Sequence, residues 1–249
     1  MGRIEVIPLA GIPEVSEGDD LASLILDAVG RESLALADGD VVVVKHKIVS
    51  KAEGRVVSID AVAPGKKARA LAKKEGKDPR LVELMLRESV RVVRASHGVI
   101  ITRTKQGLVC ANSGIDQSNV GKGSVALLPV DPDRSARNLR RVLEKRTGRR
   151  LAVVVSDTFG RPWRLGQTDV AIGCSGMLPL LRYAGKKDRF GYRLRVTEPS
   201  VADEIAGAAE LAIGKLNGMP AAVVRGVEYD RGEGGVKGML MPPERDLFR

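Results

Sequence analysis

The sequence predicts an α+β protein organised around a mixed sheet, and three observations carry that expectation. Apolar runs of strand length gather from about 91 to 128 and again from 151 to 197, so strands and helices do not alternate as a βαβ repeat requires. The valine-dominated run "LAVVV" at 151–155 is built to be buried as a strand. The nucleotide-binding signatures of the common α/β folds are also missing. "VGKGS" at 120–124 lacks the upstream glycine of a P-loop, and "AIGKLNG" at 212–218 lacks its hydroxyl. No G-x-G-x-x-G stands between a strand and a helix.

Strand-like runs are expected at 4–9, 41–45, 98–101, 107–110, 124–128, 151–155, 169–173, 193–197 and 220–225. Residues 19–29 open on acids suited to a helix N-terminus. Helices follow over 66–75 and 79–88, the second capped by Asp78 with Pro79 in its first turn. A fourth, over 132–146, starts the same way from Asp131-Pro132. A long helix of about 199–214 starts at Pro199 and lines up Val201, Ile205, Ala208, Ala212 and Ile213 on one stripe. The stretch 230–243, rich in glycine and proline, reads as a long loop, functional or mobile.

The 249 residues are 43% hydrophobic, enough to bury a core as one large domain or two small ones. Aromatic residues make up only 3%, so that core must be aliphatic. No stretch approaches the roughly 20 apolar residues of a bilayer span, "MGRIEVIPLAG" is too short and interrupted for a signal peptide, and Val6 stands where N-myristoylation wants Ser or Thr. A cytoplasmic protein is expected. Cys110 and Cys174 lie among apolar and small residues and read as two buried thiols rather than a disulfide. With His46 and His97 the only histidines, a Cys/His zinc site is set aside.

Forty-one basic residues against 31 acidic ones give a net charge of +10, which suits nucleic acid or a small polyanion such as a nucleoside triphosphate. The densest basic cluster is "RSARNLRRVLEKRTGRR", 134–150. Its apolar Ala136, Leu139, Val142 and Leu143 keep helical spacing, so the charges form a solvated outer face in preference to a nucleic-acid patch. RNA readers also need stacking aromatics, which are scarce.

Four segments carry possible chemistry. In "VCANSGIDQSNVGKGS", 109–124, Asn112, Asp116 and Asn119 supply the oxygens a hard cation prefers, or they simply close Asx turns. In "LAVVVSDTFGRPW", 151–163, a buried strand is expected to end at Asp157 and Thr158. Either two acid-bearing strand ends then converge on one divalent ion, with Arg161 and Arg164 left for anionic substrate groups, or the segment is an ordinary strand exit into a surface turn. In "KHKIVSKAEGR", 45–55, Lys45, Lys47, Lys51 and Arg55 follow a strand and are either phosphate partners or the charges of a solvated edge strand. "AGIPEV", 10–15, either lets a nucleotide approach the backbone or only turns the chain.

With these residues in view, the sequence resembles the coenzyme F-420:L-glutamate ligase family over nearly its whole length. The resemblance rests on "GIPEVSEGDDL", "KIVSKAEGR", "CANSGIDQSNV", "SDTFGRPWRLGQTDVAIGCSG", "VADEIAGAAELAIGK" and "AAVVRG". The wording of "DTFGRPWR" and "GQTDVAIG" is nearer to the N-terminal domain of the bacterial bifunctional enzyme. The resemblance implies a two-lobed gamma-glutamyl ligase fold over 1–249, with a Gly/Pro-rich tail at 230–249, unlike P-loop, Rossmann or ATP-grasp enzymes. It implies a homodimer that uses GTP, Mg2+ or Mn2+, and K+ to join L-glutamate to coenzyme F-420-0 or its dehydro form. Nucleic acid and membrane are not expected as partners.

By position, the resemblance assigns Asp116, Asp157 and Thr158 to metal, and Asp157 and Lys51 to catalysis. Ile12, Pro13, Glu14, Val15, His46, Lys47, Lys51 and Asn119 correspond to GTP contacts, as does the loop Ile213, Gly214, Lys215, Leu216, Asn217, Gly218, Met219. Arg161, Arg164, Arg189 and Arg225 are candidates for substrate carboxylate or phosphate. One position departs: Lys215 stands where the archaeal pattern places an acidic or amide metal ligand, and a charged lysine cannot ligate a cation, so either the second metal is held differently or Lys215 contacts phosphate in its place. Two other readings remain open, a ligase of this fold acting on another acid and amine, and a non-enzymatic RNA- or nucleotide-binding protein.

Overall fold

The structure is a computed structural model that describes residues 2–247; the last two residues of the expected tail, 248–249, lie outside the described residues. Among the described residues ten strands are formed: β1 (Glu5–Pro8), β2 (Val41–Lys45), β3 (Val56–Ser58), β4 (Ser89–Ser96), β5 (Val99–Thr104), β6 (Val109–Ala111), β7 (Ser124–Ala126), β8 (Ala152–Arg161), β9 (Arg164–Ser175) and β10 (Ala221–Arg225). The helices are α1 (Leu21–Arg31), α2 (His46–Ala52), α3 (Lys66–Glu75), α4 (Pro79–Arg87), α5 (Pro132–Thr147) and α6 (Val201–Ile213).

Five strands make the main sheet, in the order β1-β10-β2-β8-β9. Only β2 and β8 run parallel; every other pair is antiparallel, so the sheet is mixed as the sequence predicts. Val41 to Val44 and Ala152 to Val155 are wholly buried, which is what continuous valine runs indicate when both faces of a sheet are covered. Helix α5 packs on β8 and β9, and α6 packs on β1, β9 and β10. The closeness of α5 shows at Gly173, where a Cβ would stand 2.4 Å from the backbone of Pro132.

Residues 56–128 form a second region. It contains the antiparallel pair β3-β7, the antiparallel sheet β4-β5-β6, and α3 packed on α4. Its apolar side chains gather in two small clusters, one around Val125 and Leu127 and one around Val82, Met85 and Ile100. The expected caps form: the Asp78 carboxylate accepts from the Arg80 amide, and that of Asp131 from the Arg134 amide.

Three expectations are corrected, and a fourth is refined. The strand expected to end at 155 runs on to Arg161, because β9 pairs with it as far as the two-residue turn Pro162-Trp163, where Trp163 takes a φ of +55°. Asp157 and Thr158 therefore sit within a long hairpin rather than at a strand end. Residues 193–197 form no regular strand; one bridge, Lys187 to Arg193, and scattered backbone hydrogen bonds to 183–186 line them up, and Val196 is 90% exposed. The lysines after 45 do not guard a sheet edge, since β2 lies between β10 and β8 and its last residue leads straight into α2. The Gly/Pro-rich stretch is pinned. The buried Asp133 carboxylate accepts from the amides of Cys174 (2.9 Å), Val236 (2.9 Å) and Lys237 (3.4 Å), tying the tail to β9.

Candidate functional site

Because β2 and β8 are parallel, their carboxyl ends lie side by side, with Lys45 in register with Ser156. That position, where open sheets with parallel strands commonly take ligands, collects most of the singled-out residues. The chain leaves β2 directly into the first turn of α2, and two successive side chains there reach the two acids. His46 Nε2 stands 3.3 Å from Asp157 Oδ1, close but outside hydrogen-bonding geometry, so this buried nitrogen has no donor or acceptor partner. Lys47 Nζ lies 2.8 Å from Asp116 Oδ2 and donates to Ser118 Oγ at 2.7 Å. One helical turn thus holds the loop of Asp116 and the strand of Asp157 together. Burial pushes the Asp116 pKa up, but hydrogen bonds from Lys47 and Ser118 outweigh it and leave the carboxyl below its ordinary value.

Thr158 faces a group that the sequence reading missed. Its hydroxyl donates to Asp169 Oδ1 at 2.7 Å and accepts from Lys215 Nζ at 2.6 Å. The Asp169 side chain is entirely buried. It takes a hydrogen bond from Ser156 Oγ at 2.8 Å and an ion pair from Lys45, and Lys215 Nζ lies 3.5 Å away. Burial alone would raise its pKa; the Lys45 ammonium, Thr158 and Ser156 prevail and keep it ionised. Glu210 of α6 completes the group, accepting from the Asp169 amide at 3.1 Å and pairing with Lys215. An acid inside the otherwise apolar end of β9, directly opposite Thr158 in register, was the available signal.

The remaining segments are placed as follows. Ile12 and Val15 are buried, while Glu14 between them pairs with Lys51, joining the first loop to α2. Lys51 itself is 8% exposed. Asn119 is exposed and left-handed, with φ +53°. Upstream, Asn112, Ser113 and Gly114 take consecutive positive φ values of 53°, 58° and 67°, a strained run fixed by hydrogen bonds of Ser113 Oγ to Thr102 and to the Met85 carbonyl, both 2.8 Å. The Asn112 side-chain oxygen is buried without a partner. Asn112 lines a cleft of about 360 Å3 together with Lys77, Met85, Asp116 and Ser118.

The loop after α6 begins at the buried Ile213. Gly214 and Gly218 take positive φ there, Asn217 Nδ2 donates to the Ile213 carbonyl at 3.2 Å, Leu216 is exposed, and Met219 packs on the core. The candidate arginines divide. Arg161 and Arg164 flank the hairpin turn beyond Thr158. Arg225 is not brought to the site: it lies at the opposite end of the sheet, its guanidinium clamped on Asp40 at 2.8 and 2.6 Å. Arg189, stacked over Phe190 at 4.5 Å, belongs to the 181–197 excursion, entered from the Ser175 end of β9, which is in register with Val153.

The basic helix α5 has part of its charge paired. Arg140 pairs with Glu144 and Glu233, and Arg146 with Asp20. Among the described residues, no three His, Cys, Asp or Glu side chains are gathered at metal-binding spacing. The donor set of Asp116, Asp157 and Thr158 nevertheless has the chemistry a hard divalent ion needs, two part-buried carboxylates and a hydroxyl, beside a buried imidazole nitrogen that lacks a hydrogen-bond partner. Both cysteines are free and buried. Among the described residues no helix is long and apolar enough to cross a membrane.

Comparison with known proteins agrees with the sequence motifs. The sequence model of the F420-0:gamma-glutamyl ligase family matches residues 11–226. A protein named coenzyme F420:L-glutamate ligase from Methanothermobacter thermautotrophicus is 45% identical, and the match covers 99% of both chains. Proteins of the same name from Methanopyrus kandleri and Archaeoglobus fulgidus are 45% and 42% identical, each match covering 99% of this chain and 97% of the relative. These three relatives are archaeal, although the motif wording leans toward the bacterial type. The chain belongs to the F420-0:gamma-glutamyl ligase family.

Proposed function

We propose that this protein is a GTP-dependent ligase that forms an amide between L-glutamate and the carboxylate of coenzyme F420-0 or its dehydro form, with Mg2+ or Mn2+ and K+. The same reading gives it the two-lobed ligase architecture, a homodimeric state and a place in the cytoplasm. The observation that carries it is the meeting of Asp116, Asp157, His46 and Lys47 at the carboxyl end of β2 and β8 in a chain of this family.

A divalent ion bound by Asp116 and Asp157, beside Thr158, would neutralise phosphate charge. Lys47 and Lys51 now pair with Asp116 and Glu14, and each exchanges that carboxylate for a phosphate oxygen when GTP arrives. A substrate carboxylate oxygen then attacks the γ-phosphorus, the bond to the β-phosphate oxygen breaks, and GDP leaves. The glutamate amine attacks the acyl phosphate carbon, the C–O bond to phosphate breaks, and phosphate and a proton are released. Lys51, buried and held on a helix, is positioned rather than searching, so its ammonium contributes where charge develops.

The test is mass spectrometry of the products formed from the deazaflavin precursor, glutamate and Mn2+, with and without GTP. A glutamyl adduct that appears only with GTP supports the reading. An adduct formed equally well without GTP, or none at all from folded protein, overturns it.

A further inference from the structure

The oxygens around Lys215 carry an inference that rests on the reading of the site as one taking divalent ions. Three oxygens converge on its ammonium: Thr158 Oγ1 at 2.6 Å, Asp169 Oδ1 at 3.5 Å, and a Glu210 carboxylate oxygen. Oxygen atoms of two acids and a hydroxyl are what a hard cation gathers. Here the cation is covalently part of the chain. The turn that delivers it is built for the purpose: Gly214 takes φ +65°, its amide closes on the Glu210 carbonyl at 2.8 Å, and Asn217 Nδ2 donates to the Ile213 carbonyl.

Charge counting points the same way. This pocket holds two carboxylates, Asp169 and Glu210, and two ammoniums, Lys45 and Lys215. Its formal charge is already balanced. A dication entering it would leave an excess of two positive charges against a wholly buried carboxylate, or would have to displace a lysine, either the half-exposed Lys215 from its three oxygens or the mostly buried Lys45 from Asp169. Asp116 and Asp157 differ. Each faces one basic side chain of α2, one of them an imidazole, and both remain part-exposed.

We propose that Lys215 is the resident cation of a second position beside Thr158, so that the chain binds a divalent ion at Asp116 and Asp157 alone. Thr158 is the hinge between the two positions, its hydroxyl belonging to the lysine pocket and its neighbour Asp157 to the ion. Lys215 thus substitutes a fixed ammonium for a metal, which makes this half of the site independent of metal supply.

The experiment is a titration of the full-length protein with Mn2+ alone, counting bound ions per chain by electron paramagnetic resonance of the free ion. The wild type takes up one ion, and Asp157→Asn loses it. Lys215→Glu, which removes the ammonium and adds a carboxylate, takes up two, and Lys215→Gln shows a weaker second uptake. Two ions per wild-type chain would overturn the proposal while leaving the proposed function intact. No ion in the wild type would overturn both. A single ion in folded Lys215→Glu would overturn the proposal as well, with circular dichroism confirming that the variant is folded.

Discussion

Asp157 and Asp116 are the same side chain held by two different kinds of structure. Asp157 sits on a hairpin strand, in register with Val170 of β9 and backed by the buried Asp169 network. Asp116 sits in the 56–128 region, on a segment entered through three consecutive left-handed residues, beside small apolar clusters rather than the main core. One half of the site is therefore framed by ladder hydrogen bonds and a closed charge network. The other is framed by a strained loop whose grip on the site comes chiefly through Lys47. The contrast teaches that the sheet fixes where the chemistry happens and the loop has room to adjust to what is bound.

The largest expected effect separates chemistry from folding. Asp157→Asn should lower ligation at least ~100-fold with the circular dichroism spectrum unchanged, since it removes charge without volume. Next comes the hairpin's own support. Asp169→Ala leaves Lys45 and Lys215 facing a hole, and breaking a buried pair in this way costs about 3–5 kcal/mol, read as a lowered urea midpoint. The same measurement compares the two regions directly through glycine. Gly173→Ala drives a Cβ to 2.4 Å from the Pro132 backbone, which cannot yield, for about 3 kcal/mol. Gly114→Ala meets Leu128 at 2.7 Å and keeps φ at +67°, but a leucine side chain can move, so about 1–2 kcal/mol is expected. Equal costs would show that the loop is as rigid as the sheet.

Smaller effects follow at the edge of the second region. Asp78→Ala removes the cap of α4 for about 1 kcal/mol. The hydrogen bond from the Arg80 side chain holds the Asp78 carboxyl below its usual 3.8, against the opposing pull of burial. A depressed acid stabilises the fold above its unfolded value and loses that contribution as pH falls through the folded one. The gap between wild type and Asp78→Asn in urea midpoint should thus be full at pH 6 and shrink as the solution is taken below 3.8. The smallest effect is an absence of reaction. Burial pushes both Cys110 and Cys174 up to about 12, so native protein should resist alkylation at neutral pH that urea-unfolded protein undergoes fully.

What the sequence made legible follows from local physics. β2 at 41–45 and α3 at 66–75 have the expected bounds, and α4 and α5 start where Asp78-Pro79 and Asp131-Pro132 mark them. α2 was not legible because it follows a valine run without a break and its N-cap residue, Lys45, supplies no side-chain cap. The outer half of the β8–β9 hairpin is polar and mostly exposed, so its pairing comes from a partner strand that periodicity within one segment does not reveal. Residues 193–197 show the reverse, strand-like composition beside a segment, 183–187, that joins it by scattered backbone bonds rather than a regular ladder. Asp116 was legible as an oxygen donor at a turn, whereas Asp157 and Thr158, expected at a strand end, lie within the hairpin. Asp169 and Glu210 were not legible, because each lies inside a regular element and gains its meaning from lysines 124 residues before and five after, respectively.

The central claim is that Asp116 and Asp157, carried by two regions of unlike construction, serve one cation and one reaction. A double-mutant cycle on GTP-dependent glutamate ligation tests it most directly. If the two carboxylates act on one ion, Asp116→Asn combined with Asp157→Asn should be no slower than the slower single variant. If the two losses multiply, the carboxylates work independently and the account is wrong.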